Sequence, residues 1–218
     1  MKYMFWKNHI TVLLFIVSTG STSAQIIRAG IKAGPQLSWV TVDDPKYKSV
    51  ANVHPVAGFH AGFVLAFKVK DRYFLNTEYI YSQKGKSVTG KIDPVLNDKV
   101  VYRHIDIPIL FSMHFKGHLG KTREFKWYLN AGPNTSYWLG GKGVINAGDL
   151  IENGVSPLKY KIAFGSRILF EPELGIGYRV TDRVTVEASW VHVSNAGLLA
   201  HQNPGMDSVG VRLSYRLR

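Results

Sequence analysis

The 218-residue sequence contains no cysteine, which excludes structural disulfides and a lipoprotein anchor built on an N-terminal cysteine. It has no apolar run long enough to cross a bilayer as a helix. The run from Ile10 to Val17 falls far below the roughly 20 residues that a spanning helix needs. Acidic residues are also scarce: 15 Asp and Glu stand against 27 Lys and Arg, a formal net charge of +12. Such a balance suits a nucleic acid or the phosphates of anionic lipid equally well. The motifs that would favour the first are missing: there is no aromatic-and-basic RNA-binding signature, Walker loop, dinucleotide fingerprint or zinc-ligand spacing. G-I-G-Y-R, starting at Gly175, has the glycines of a phosphate loop but no helix pattern after it. No cofactor, resident metal or nucleic-acid partner is expected.

What is present begins with a short basic start and the apolar run, followed by S-T-G-S-T-S-A-Q with small residues at Thr22 and Ala24. This is the pattern of a secretory signal peptide over residues 1–24. Removing it leaves residues 25–218 as one domain and, with Lys2 and Lys7 gone, a net charge of +10.

Beyond the signal, period-two alternation replaces helical periodicity. Val209, Val211, Leu213, Tyr215 and Leu217 share one face of the last segment, with Gly210, Arg212, Ser214 and Arg216 on the other. Similar segments near 27–39, 55–68, 73–86, 99–115, 125–139, 166–179, 184–194 and 207–217 predict about eight strands. Connections near 69–72 and 180–183 are tight, whereas those near 40–54, 87–98, 140–165 and 195–206 are long and rich in Gly, Asn, Asp and Pro. Short turns at one end and long loops at the other describe an all-β, eight-stranded, antiparallel up-and-down transmembrane barrel in the outer membrane. The apolar face places Tyr73, Trp127, Tyr178 and Tyr215 toward the turn end, and Trp39, Tyr79, Tyr81, Tyr137 and Trp190 toward the loop end. Two such girdles match two membrane interfaces. A soluble ligand-binding barrel also alternates, but it needs no girdles and keeps its interior apolar. Here the opposite face carries Arg28, Lys32, Glu78, Asp106, Arg167, Glu171, Glu173, Arg179, Glu187, Arg212 and Arg216. Both signs are present, so a lumen of this width can be filled by paired charges rather than left open. Pro172 has outward parity inside a strand, where a bulge is expected. His60 and His104 have lumenal parity, and His114 and His118 fall at a turn.

Two resemblances follow. F-L-N-T-E-Y-I-Y-S-Q-K-G-K, Y-R-H-I-D-I-P-I-L and W-Y-L-N-A-G-P-N-T-S-Y-W-L-G-G-K-G, with the opening G-I-K-A-G-P-Q-L-S, resemble the PorT-like outer-membrane barrels of Bacteroidota across residues 27–145. That likeness implies an eight-stranded barrel, non-enzymatic, with long extracellular loops for a structural or partner-binding role, related in some members to secretion. H-V-S-N-A-G-L and then N-P-G-M-D-S resemble the active-site segment of PagL-type lipid A 3-O-deacylases. That likeness implies His192 as base, Ser194 as nucleophile and Asp207 as orienting acid, with Asn195 and Asn203 at the oxyanion. The family usually carries Glu where Asp207 stands. The partners implied are outer-membrane lipid and lipopolysaccharide, together with a possible protein at the loops.

Serine needs an adjacent base, and the base needs a third group to fix its tautomer. By parity His192, Ser194 and Asp207 all face lipid near the loop end, where unpaired polar groups would be costly. Solvation at the headgroup level accounts for each of them singly. A catalytic cluster accounts for the three together. The sequence is read first as the non-enzymatic barrel, with the lipid A 3-O-deacylase as its alternative, and the distances between the three side chains discriminate the two.

Overall fold

A computed structural model describes residues 26–41, 49–91, 96–115, 126–147, 156–162, 168–193 and 205–217. The expected signal segment and Arg167 lie outside them. Among the described residues ten strands run in order: β1 (Ile26–Thr41), β2 (Ala51–His54), β3 (Val56–Lys70), β4 (Tyr73–Gly90), β5 (Leu96–Phe115), β6 (Trp127–Ala147), β7 (Leu158–Ile162), β8 (Ile168–Arg179), β9 (Val184–Val193) and β10 (Gly205–Arg216). Every pairing is antiparallel. Eight strands close a ring in the order β1-β3-β4-β5-β6-β8-β9-β10, with β10 returning to β1. This is the expected up-and-down barrel, and closure leaves no unpaired edge in lipid.

The two additional strands are interrupted continuations. β2 pairs with β4 directly beyond β3, and Pro55, which has no amide hydrogen, separates the two. β7 likewise pairs with β6 beyond β8. The stretches 87–98 and 140–165, read from sequence as loops, therefore contribute strand: β4 reaches Gly90, β5 starts at Leu96 and β6 reaches Ala147. Strands of 18 to 21 residues are about twice what a bilayer requires, so β4, β5 and β6 project past the membrane as ribbons.

The outward face is an apolar band: Phe63, Phe170, Val211 and Leu213 are each more than half exposed. Aromatic pairs border it. Tyr73 stacks on Phe111 at 5.6 Å and Trp127 lies 4.9 Å from Tyr178 at the turn end, while Phe59 and Tyr81 meet at 5.8 Å toward the other end.

Inside, charges are paired. Lys32 Nζ reaches Glu78 at 2.6 Å and Glu187 at 3.1 Å. Arg212 bonds Glu173 and lies 3.3 Å from Glu187 and 3.7 Å from Glu78. Lys84 joins Glu171 at 2.9 Å and Asp106 at 3.3 Å. Above them Val100, Tyr102, Trp138 and Met206, with Tyr160 and Leu169 packed against them, cap the lumen at the loop end. A cavity of about 100 Å³ remains at the turn end, beside Arg28, Arg179 and Arg216.

Two expectations are corrected. No bulge forms at Pro172. It faces Pro133 in a continuous β6–β8 register, and the β8–β9 ladder stops at the Glu173–Val191 rung. The ladder ends where the missing amide would have been needed, instead of kinking around it. His114 belongs to β5 rather than to a turn, its ring lying between Phe74 at 4.6 Å and Tyr128 at 5.2 Å. His60 and His104 are buried in the lumen. Nδ1 of His60 lies 3.2 Å from the Gln36 side-chain oxygen, and no cluster of metal-binding side chains forms among the described residues.

Candidate active site

The last strand pair sets the site. Alternation sends His192 outward with Trp190 and Val186, and Asp207 outward with Val209 and Val211. The β9–β10 register places His192 and Asp207 directly opposite each other. Opposed residues in an antiparallel pair have Cα atoms about 4.5–5.5 Å apart. The shorter aspartate therefore spans the gap, with its Oδ1 2.9 Å from His192 Nδ1. The histidine side chain is one-third exposed and the aspartate mostly covered.

Further contacts fix this pair. Thr41 at the end of β1 donates its hydroxyl to Asp207 Oδ2 at 2.5 Å. The aspartate is thus held from β9 on one side and from β1 on the other. The Trp190 ring stacks on His192 at 5.9 Å, nearly parallel to it, which limits rotation of the imidazole. β8 leaves β9 after Glu173–Val191, so among the described residues no rung joins Pro172 to His192.

Of the residues proposed from sequence, the structure brings together His192 and Asp207. Ser194, Asn195 and Asn203 lie outside the described residues. Thr41 was not anticipated. Its signal is the outward alternation Leu37, Trp39, Thr41, which continues two residues past the strand end read from sequence.

Chemically, a carboxylate accepting the Nδ1 hydrogen fixes the tautomer in which Nε2 is the free base, and stabilises the imidazolium formed when Nε2 takes a proton. An apolar-faced barrel with this pair at its loop end defines the class, an outer-membrane protein that carries a carboxylate-held histidine on its outward rim. Residues 86–216, more than half of the chain, match the model of the lipid A 3-O-deacylase (PagL) family. The chain belongs to that family, and with its closed antiparallel ring and apolar outer face it is an outer-membrane β-barrel protein of Gram-negative type. No curated protein matches it. Among solved structures it is similar to Neisserial surface protein A, at 11% identity over 87% of this chain and 97% of that one, with a TM-score of 0.47. It is also similar to the attachment invasion locus protein of Yersinia pestis, at 10% identity over 87% and 98% with a TM-score of 0.46. OprG from Pseudomonas aeruginosa is 12% identical over 88% and 96%, with a TM-score of 0.41.

Proposed function

We propose that this protein hydrolyses the 3-O-linked acyl ester of lipid A. The observation that carries the reading is the His192–Asp207 pair at 2.9 Å, on the outward face at the loop end, in a chain of the deacylase family. In this scheme Asp207 holds His192 with Nε2 unprotonated, and Nε2 removes the proton from the hydroxyl of Ser194. The serine oxygen attacks the ester carbonyl. Asn195 and Asn203 supply donors to the oxyanion, and His192 returns the proton to the departing sugar oxygen. Water then releases the 3-hydroxy fatty acid from the serine by the same base.

The test is direct. Purified protein in detergent, mixed with lipid A, should release a 3-hydroxy fatty acid. Ser194→Ala and His192→Ala should lower that rate by about 10⁴-fold or more, while each variant still migrates faster unboiled than boiled, the mark of a folded barrel. Equal release by wild type and variants, or none from any, removes the hydrolase. The PorT-like resemblance of residues 27–145 then supports the remaining reading, a non-enzymatic barrel binding a partner through its loops.

A further inference from the structure

The ribbon of β5, β6 and β7 carries a charge arrangement that the hydrolase does not use. Lys99, Val101 and Arg103 alternate outward on β5, Lys142 and Val144 on β6, and Lys159 and Lys161 on β7. Register makes them one patch. Lys142 is opposite Lys161 on one side and Val101 on the other, and Val144 lies between Lys99 and Lys159. All five cations are exposed. Neighbouring strands are about 4.8 Å apart, and like charges placed opposite each other across a ladder weaken it. No acidic residue shares this face among the described residues. The nearby Asp98 turns to the inner face, where it accepts a hydrogen bond from Tyr160 at 2.5 Å. A β-bulge creates the arrangement. Trp138 pairs with His104 and Gly140 with Arg103, leaving Leu139 as the extra residue. Gly140 takes a φ of +157°, and a Cβ there would lie 3.3 Å from the Arg103 guanidinium. Strict alternation from Trp138 would have sent Lys142 into the lumen. The bulge turns it outward into the cationic face.

We infer that this face binds the phosphate groups of outer-leaflet lipopolysaccharide at a site separate from His192 and Asp207. Two observations choose that occupant. Five exposed cations, with no acidic residue on their face among the described residues, complement a polyvalent anionic surface, and the ribbon rises from the long-stranded end of the barrel, which faces outward in an outer membrane. β6 stands three strands around the ring from β10, so a glycolipid held on the ribbon is not the one presented to the dyad.

The test measures binding and uses no ester cleavage, which keeps it independent of the hydrolase proposal. Full-length protein in detergent is titrated with bisphosphorylated lipid A and with lipid A stripped of both phosphates. The variant K142Q/K159Q/K161Q is compared with K68Q/K70Q/R72Q, which removes equal charge at the turn end; unboiled migration verifies that both are folded. The ribbon triple should weaken binding of the bisphosphorylated form by roughly a hundredfold, from about fivefold per cation near an anionic surface. The turn-end triple should change it little, and the stripped lipid should bind wild type and ribbon triple alike. Unchanged binding by the ribbon triple, or equal losses in both triples, overturns the inference. Displacement of lipid A by millimolar inorganic phosphate also overturns it, marking a free-anion site instead.

Discussion

Both carboxylate oxygens of Asp207 are engaged, one by the imidazole of His192 and the other by the hydroxyl of Thr41. The two contacts have different consequences. In the proposed mechanism, loss of the carboxylate removes the group that fixes the tautomer, and Asp207→Asn should reduce the proposed deacylation by about 10⁴-fold with folding intact. Thr41 bonds Asp207 rather than His192, so in the proposed mechanism it positions the base through Asp207. Thr41→Val should reduce kcat by about tenfold, the equivalent of one charge-assisted hydrogen bond of about 1.5 kcal/mol. Thr41→Ser, which keeps the hydroxyl, should restore it. A purely structural threonine would show the opposite order, because valine preserves the β-branched shape and serine does not. Equal rates in Thr41→Val and wild type would remove Thr41 from the site.

At the scale of elements, much was legible because alternation is a local property. The outward parity of His192 and Asp207, the adjacency of their strands and the lumenal charges all follow from counting by twos. Three features were not legible, and each breaks the count. Pro55 interrupts a strand that resumes as β2, so the segment read as ending there continues. Pro172 ends the β8–β9 ladder without a visible signal, because the β6–β8 register runs through it unshifted. Leu139 and Gly140 form a bulge, so the parity of β6 changes at the point where sequence reading placed a strand end. Thr41 was missed for a related reason, lying just beyond a boundary drawn at residue 39. The bulge makes a prediction of its own. Gly140→Val places a β-branched residue at a φ of +157° and should cost about 1–3 kcal/mol, read as a lowered urea midpoint. Deleting Leu139 restores uninterrupted alternation while keeping Arg103 opposite residue 140. In that background Gly140→Val should cost much less. Equal costs in the two backgrounds would show that the bulge does not impose the glycine.

For the whole molecule, the lumen decides whether the barrel conducts and how it resists unfolding. The aromatic cap at the loop end and the ion pairs beneath it fill the bore, so planar-bilayer recordings should show no steady large conductance. The ion pairs also rank the interior residues. Around Lys32 and Arg212 stand three carboxylates, Glu78, Glu173 and Glu187. Removing Arg212 leaves Lys32 alone against all three, with Glu173 stripped of its only ion pair among the described residues. Removing Glu187 instead leaves two cations with two carboxylates, and Lys32 keeps Glu78 at 2.6 Å. Breaking a buried pair by deleting the scarcer sign costs about 3–5 kcal/mol, because it strands charge. Arg212→Leu should therefore destabilise the barrel by about that amount. Glu187→Leu should cost clearly less, with the loss of the 2.7 Å bond from Asn130 as its main penalty. Urea titrations of the refolded variants in detergent, followed by the unboiled band on a gel, measure the difference. Equal losses would mean that the cluster responds to lost packing volume rather than to its charge balance.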